Sequence, residues 1–397
     1  MEAQFTIAAV WLGLAVLAAI IAFHLRMSIA LVEICVGVAA GAVATRFWGA
    51  DSLGNNQEWL KFLAASGVVM LTFLAGAELD PRIMKTKLTE VSVVGIFGFL
   101  APFLGCAAVA RWLLHWDVRA SWLAGIALST TSMAVIYTVM LETGLNKTEF
   151  GKGILGASFV NDLSTVVGLG LIFAPFTYKT TVFILATAGV LILFPLVTKA
   201  LTRIYGNRTA AIRAKWLMFV LFGIGALAFW SGSEAVLPAY VAGIVLAEFA
   251  AQEEHWVRRM RTLTVGFLTP FYFLRVGTLV SVPALWSAPL IVGGLLAGKI
   301  VWKIFGLYPV VGLFHREGSE RWFYTLLMST GLTFGAIAAV YGYSHGIVTQ
   351  EQYSFLIASV IASAVLPTLI AQLAFMPKHL LPGKITRIVS PAGIDEE

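Results

Sequence analysis

Thirteen long apolar runs, separated by short polar segments, constrain this chain more than any other feature. Each is close to the roughly 20 residues that a helix needs to cross the hydrocarbon core of a bilayer. They lie near residues 4–24, 27–46, 58–78, 89–112, 120–141, 151–174, 179–201, 213–230, 234–250, 262–282, 286–310, 321–342 and 352–375. Only 12% of the 397 residues are charged, about half the share in a soluble protein. We therefore predict an all-α polytopic membrane protein and exclude a soluble enzyme and a nucleic-acid-binding protein.

The positive charges predict the orientation of these spans. Lysine and arginine accumulate in short cytoplasmic loops. Nineteen of the 27 fall in the loops on one side of the membrane and five on the other, which places the N-terminus outside and the C-terminus in the cytoplasm. We expect residues 1–375 to form a single transmembrane transporter domain in the inner (cell) membrane. Residues 376–397 would be a short cytoplasmic tail, with no nucleotide-binding regulatory domain.

One acidic residue, Asp162, lies midway along the sixth run with apolar residues on both sides. Ionisable groups at membrane depth are costly and mark functional sites by default. A poorly solvated carboxylate can hold a proton or a monovalent cation, but not comfortably both. That competition is the minimal chemistry of cation/proton exchange. The structural alternative is a carboxylate neutralised permanently by a basic partner.

Three basic residues also lie within the spans. We predict that Lys299, near the middle of the eleventh run, pairs with Asp162 when no cation is bound or carries a proton itself. Lys303, one turn further on, is expected to extend toward the inner face. Arg275 could offset a second acid, bind an anion or tie two helices together, and we favour the tie. Glu33, in the second run, receives no site role.

Two runs contain clusters of small polar residues where a helix could unwind. These clusters are Ser129-Thr130-Thr131-Ser132 and Ser329-Thr330-Gly331-Leu332-Thr333. Interrupted spans in corresponding positions of two halves point to a transporter binding site. The two clusters lie seven spans apart, and this odd offset predicts an inverted repeat. Its core helices would cover about 89–174 and 286–375, and Thr330, Gly331 and Thr333 would support the site through freed backbone groups.

Gly37 and Gly41 stand four residues apart in the second run. This spacing lets two membrane helices approach closely. The contact could join two copies of the chain or two helices of one copy, and the sequence leaves both open.

In several sequence motifs the chain resembles the monovalent cation:proton antiporter superfamily. It most resembles the branch with bacterial Na⁺/H⁺ antiporters and glutathione-gated K⁺ efflux proteins. The resemblance covers nearly the whole chain. It is carried by Phe73-Leu-Ala-Gly-Ala-Glu78-Leu-Asp80, Thr130-Thr131, Asn161-Asp162, Phe267-Leu-Thr-Pro-Phe-Tyr-Phe with Gly277, and Lys299.

The resemblance implies a homodimer whose protomers each have a dimerisation domain and a mobile core domain. Asp162 would carry the ion and the proton, and Thr130, Thr131 and Ser158 would supply further oxygens. Glu78 could bind the ion through water. The core domain would carry the site across the membrane in an elevator-like step.

Two departures from the family pattern leave the stoichiometry open. Electrogenic members usually carry two adjacent acids where this chain has Asn161 before Asp162. Electroneutral relatives usually combine Asn-Asp with an arginine, but this chain has Lys299.

The predicted function is secondary active transport, with Na⁺ or K⁺ exchanged for protons by alternating access. We expect no enzymatic activity, no cofactor apart from the transported ions, and no nucleic-acid or nucleotide partner. The alternative on the same fold is a sodium-coupled symporter of an organic anion, in which Arg275 would hold the substrate carboxylate.

Overall fold

The computed structural model describes residues 2–25, 27–49, 52–77, 86–173, 177–205, 210–233 and 235–381. These residues form helices and connecting loops, and none of them lies in a strand. In chain order the helices are α1 (Glu2–Leu25), α2 (Ile29–Phe47), α3 (Glu58–Ala77), α4 (Leu88–Ala108), α5 (Val118–Ser129), α6 (Met133–Thr143), α7 (Glu149–Phe173), α8 (Tyr178–Tyr205), α9 (Ala210–Ser231), α10 (Val236–Gln252), α11 (Glu254–Leu263), α12 (Thr269–Thr278), α13 (Val282–Ser287), α14 (Pro289–Val311), α15 (Gly318–Met328), α16 (Thr333–Ser344) and α17 (Gln350–Ala374).

Every predicted span corresponds to a helix or to a pair of helices. Within the described residues, eleven helical stretches are long and apolar enough to cross a membrane. The ninth run forms the shorter apolar helix α10. The tenth forms α12, which a π-helical segment, Thr264–Leu268, joins to α11. The prediction of an all-α polytopic membrane protein is therefore confirmed.

The packing sorts most of these helices into two bundles. In the first, α2 and α3 pack against α12, α3 also packs against α10, and α8 packs against α9. In the second, α4 packs against α5, α7 and α14, while α17 contacts α14, α15 and α16. The predicted core helices make up this second bundle. One direct contact between the bundles is made by α7 and α10.

Glycines allow the closest approaches within the first bundle. A Cβ atom on Gly37 of α2 would overlap the carbonyl oxygen of Leu274 in α12, and one on Gly277 would overlap that of Ile34. A Cβ atom on Gly41 would lie 2.9 Å from the Cα atom of Thr278. Gly37 and Gly41 therefore serve a contact within one chain, which answers the question that the sequence left open.

Candidate functional site

Two helices are interrupted at mid-depth, and the interruptions face each other. The first lies between the end of α5 at Ser129 and the start of α6 at Met133, and the second between Met328 and Thr333. The Thr131 hydroxyl donates to the Met328 carbonyl oxygen over 3.1 Å, and the Ser132 amide donates to Thr330 Oγ1 over 3.4 Å. The sequence prediction of two broken spans is thus matched by two crossing breaks.

Local side-chain chemistry explains why the chain unwinds here. A helix end leaves carbonyl oxygens without a backbone donor, and serine and threonine hydroxyls can serve them from one turn later. Thr130 donates to the Ala127 carbonyl, and Thr330 donates to the Leu327 carbonyl. Ser329 donates likewise to the carbonyl of Thr325. These residues are fully buried, so hydroxyls replace the water that would otherwise stabilise the ends of the half-helices.

Asp162 lies in α7 and is 2% exposed. Its Oδ1 atom has no hydrogen-bond partner among the described residues, and neither does Ser158 Oγ. The two residues are four positions apart on one helix, so their side chains share a face. Buried polar atoms are nearly always hydrogen-bonded. Two unpartnered oxygens on one face are therefore groups that could hold a cation or a proton.

Asn161 turns toward the first break instead. Its Oδ1 atom lies 3.0 Å from the Thr131 hydroxyl, whose single proton is shared between this oxygen and the Met328 carbonyl. Its amide donates to the Gly95 carbonyl oxygen over 3.5 Å. Asn161 therefore fixes α7 against the broken helix, while the adjacent Asp162 faces the space beside it.

Both lysines of α14 are fully buried beside the breaks. Lys299 Nζ donates to the Thr130 carbonyl oxygen over 3.2 Å, and Lys303 Nζ donates to Thr131 Oγ1 over 3.1 Å. No ion pair within the described residues joins either lysine to Asp162, and of the two it is the charge of Lys303 that acts on this carboxylate. The expectation that Lys303 reaches the inner face is wrong. Lys303 is four residues after Lys299, and this spacing puts both side chains on one helical face. The sequence therefore contained a signal that the two lysines face the same site.

A cavity of about 1360 Å³ leads to Asp162. Its lining includes His24 from the last turn of α1, Ser28 from the α1–α2 connection and Arg261 from α11, all on the side predicted to face the cytoplasm. Thr333, at the start of α16, also contributes. The site is therefore reached from that side.

Three aromatic residues pack together where the two bundles meet beside the cavity. Tyr240 of α10 stacks on Phe159 of α7 at 5.2 Å between ring centroids and contacts Phe334 of α16 edge-on at 5.8 Å. Its hydroxyl also donates to the Phe159 carbonyl oxygen over 3.1 Å. We call Phe159, Tyr240 and Phe334 the aromatic barrier. It joins the two bundles, and Phe159 and Phe334 also line the cavity.

A smaller cavity of about 230 Å³ lies beyond the aromatic barrier. Arg275 lines it, together with Lys61 and Val340. The Arg275 guanidinium donates to the Asn55 carbonyl oxygen over 3.2 Å, and Thr278 of the same helix donates to Asn55 Oδ1 over 2.9 Å. Arg275 thus ties α12 to the loop before α3, where the favoured interpretation expected a tie to a second helix.

Gly331 and Glu33 also lie close to the residues of this site. Gly331 lies in the second break, where its position is within contact distance of Lys299 and Thr130. Glu78 lies outside the described residues. Glu33, to which the sequence assigned no role, lines the large cavity together with Asp162.

A buried carboxylate beside two crossing broken helices, in a helical membrane protein, defines a class of secondary transporters. The chain belongs to the sodium/hydrogen exchanger family, whose transmembrane region matches residues 12–375. The predicted superfamily is therefore confirmed.

Individual relatives agree with this family. The chain is 26% identical over 234 residues to the "Probable Na(+)/H(+) antiporter 3" of Methanocaldococcus jannaschii, over 56% of this chain and 59% of the relative. It is 26% identical over 351 residues to the glutathione-regulated potassium-efflux system protein KefC of Shigella sonnei, over 83% of this chain and 54% of KefC. The chain thus spans between half and three-fifths of the length of these relatives.

A solved structure has the same fold. The sodium proton antiporter MjNhaP1 of Methanocaldococcus jannaschii, determined at pH 8, aligns with a TM-score of 0.69 at 17% identity. The alignment covers 97% of this chain and 99% of that one.

Proposed function

We propose that the protein exchanges Na⁺ or K⁺ for protons across the cell membrane by alternating access, with the two ions competing at Asp162. The observation that carries the proposal is the state of this carboxylate. It is buried, it lines a cavity of about 1360 Å³, and no ion pair among the described residues neutralises it. A buried charge needs a counter-charge. The charge of Lys303 acts on the carboxylate without forming an ion pair with it, so a proton or a cation from the cavity can still bind there. Membership of the exchanger family supports this assignment.

The oxygens around Asp162 suggest how a dehydrated cation would be held. Ser158 Oγ is without a partner on the same helical face. The Thr130 carbonyl oxygen accepts from Lys299, and Thr131 Oγ1 accepts from Lys303. We propose that a bound cation takes over oxygens that the ammonium groups occupy in its absence. Glu78 would assist through water, and no resident cofactor is needed.

The stoichiometry follows from what Lys299 does on cation binding. If it keeps its proton, Asp162 alone exchanges and the cycle is electroneutral. If it releases its proton, two protons move per cation and the cycle carries charge. An imposed membrane potential shifts the reversal point of transport only in the second case.

The two bundles suggest the moving parts. We propose that the second bundle, with α4–α7 and α14–α17, carries the site in an elevator-like step. The first bundle would stay fixed as the dimerisation domain of a homodimer. Glycine-mediated contacts between α2 and α12 would keep that bundle rigid.

The position of Arg275 does not favour a sodium-coupled symporter of an organic anion. In such a transporter Arg275 would have to hold the substrate carboxylate. Its guanidinium instead donates to the Asn55 carbonyl oxygen and lines the small cavity rather than the one that holds Asp162.

The experiment is exchange in proteoliposomes with an imposed pH gradient, scanned across Li⁺, Na⁺, K⁺ and Rb⁺. We expect cation-driven proton flux from the wild-type protein. Asp162→Asn should abolish it, because an amide neither ionises nor replaces the charge that a cation needs. The variant should still fold, since Oδ1 makes no hydrogen bond that would be lost.

Glu351→Gln is the matched control, since Glu351 is an exposed acid in the first turn of α17 and should leave the flux unchanged. Substantial cation-driven proton flux from Asp162→Asn would contradict the assignment.

A further inference from the structure

A second carboxylate faces the same cavity as Asp162 from the other bundle. Glu33 belongs to α2 and is 2% exposed. It lines the cavity of about 1360 Å³. Asp162 enters this cavity from α7, so the two acids belong to helices of different bundles.

Glu33 has no counter-charge within the described part of the chain. Its Oε2 atom lacks a hydrogen-bond partner, and no ion pair involves this residue. The other ionisable side chains that line the cavity are His24, Tyr137, Asp162 and Arg261. A buried carboxylate left in this state is costly. It must therefore hold a proton or take a cation from the cavity.

The place of Glu33 in its helix sets its depth. It is four residues after Ile29, where α2 begins, or about 6 Å along the helix axis. Asp162 is thirteen residues after Glu149, where α7 begins, or about 20 Å. Both helices start on the side predicted to face the cytoplasm. Glu33 therefore lies nearer the mouth of the cavity and Asp162 deeper.

We propose that Glu33 is a second monovalent-cation site in this cavity, a station that the cation occupies on its way between the bulk phase and Asp162. Its charge raises the local concentration of cations beside a single deep site, as charged clefts do. It stays with α2 while the second bundle moves, so it acts only when the cavity is open to this side. The inference rests on the proposed exchange at Asp162.

The test is the cation dependence of exchange by Glu33→Gln in proteoliposomes, with Na⁺ and K⁺ measured separately. The substitution keeps the size and removes the charge. We expect the apparent KM for the transported cation to rise about fivefold at pH 8, the effect of losing one nearby charge in a polar cavity, with kcat unchanged. At pH 6 the difference should shrink, because a protonated glutamic acid and a glutamine attract cations equally poorly.

Two further variants separate this role from packing. Glu33→Asp keeps the charge and should stay close to the wild-type KM at both pH values. Glu248→Gln removes an exposed acid of α10 that does not line the cavity and should change nothing.

The inference is overturned if Glu33→Gln has the wild-type KM at both pH values, or if Glu33→Asp is as impaired as Glu33→Gln. Absence of exchange from the wild-type protein would instead refute the proposed function, so the two failures are distinguishable.

Discussion

Lys299 fits at the second break because residue 331 has no side chain. A Cβ atom on Gly331 would overlap the Nζ atom of Lys299 and lie 2.9 Å from Thr130 Oγ1. The ammonium group holds the Thr130 carbonyl oxygen from this position. The space left by Gly331 thus allows the Lys299 ammonium to donate to the carbonyl oxygen at the end of the first half-helix.

Gly331→Ala should therefore displace the Lys299 ammonium from Thr130. We expect a loss of about 1–3 kcal/mol in stability, as for other overpacked cores, together with a raised apparent KM for the cation. Thermal unfolding in detergent and proteoliposome exchange measure the two effects.

Gly293→Ala is the control, because a Cβ atom on this glycine of α14 would meet nothing within 4 Å. It should be neutral or slightly stabilising, since alanine favours the helix. Equal behaviour of the two variants would show that Gly331 is not needed for the position of Lys299.

Residues also show what the sequence could and could not predict. The burial of Asp162 could be predicted, because an acid among apolar neighbours stands out. The burial of Lys303 and the position of Glu33 beside the large cavity could not be predicted from hydropathy. Hydropathy reports how deep a residue lies, but not whether it faces lipid, a neighbouring helix or water. That direction depends on packing between helices that are distant in the sequence.

At the scale of helices, a histidine links the membrane helices of the second bundle at their predicted cytoplasmic ends. His315, between α14 and α15, bonds to Glu90 of α4 through Nε2 and to Glu320 of α15 through Nδ1, each at 3.0 Å. His379 also contacts Glu320, over 2.8 Å. An imidazole donates from both nitrogens only when protonated, so this arrangement selects the charged form of His315.

The link should weaken at high pH. Burial opposes the charge of His315, but the hydrogen bonds and charges of Glu90 and Glu320 outweigh it and raise the pKa of His315. A pKa raised by folding stabilises the folded protein below the ordinary value and ceases to do so as pH rises through the raised one. We expect His315→Gln to cost about 1–3 kcal/mol at pH 6, the range for a charged hydrogen bond and its stranded partner, and less at pH 9.

Thermal unfolding of both proteins across this pH range measures the difference. His345→Gln changes an exposed histidine whose Nδ1 atom lies 2.9 Å from the Tyr341 carbonyl oxygen of the preceding turn, and it should show no comparable trend. A loss of stability from His315→Gln that grows as the pH rises would contradict this prediction.

Helices and their breaks could be predicted where the length and composition of a sequence segment determine them. Each of the thirteen apolar runs forms a helix or a pair of helices, and among the described residues eleven such stretches are long enough to cross a membrane. The two clusters of small polar residues form the two breaks. What stayed hidden was the contact between the breaks. The bond from Thr131 to Met328 joins residues 197 positions apart, and no local pattern encodes it.

At the scale of the whole molecule, the two cavities differ in size about sixfold, at about 1360 and 230 Å³. The larger one opens on the side with most of the lysines and arginines. In the predicted orientation, the large cavity is open to the cytoplasm.

Cysteine accessibility tests that orientation. Leu71 lines the large cavity and Val340 the small one. With Cys35 and Cys106 replaced, Leu71→Cys should react with a membrane-impermeant maleimide in inside-out vesicles and be protected in right-side-out vesicles. Val340→Cys should react slowly from either side, because the small cavity admits little reagent. Fast labelling of Leu71→Cys from outside would reverse the predicted topology.

The depth of the large cavity has an electrical consequence. When water fills the cavity, it carries the potential of the bulk phase inward to Asp162. The membrane voltage then falls mostly across the packed residues between Asp162 and the opposite face, rather than across the roughly 30 Å of the hydrocarbon core. Moving one elementary charge through the full field is worth about 2.3 kcal/mol per 100 mV. A short displacement of the site across this packed layer would therefore capture most of that energy, and the thickness of the layer would set how strongly voltage drives the cycle.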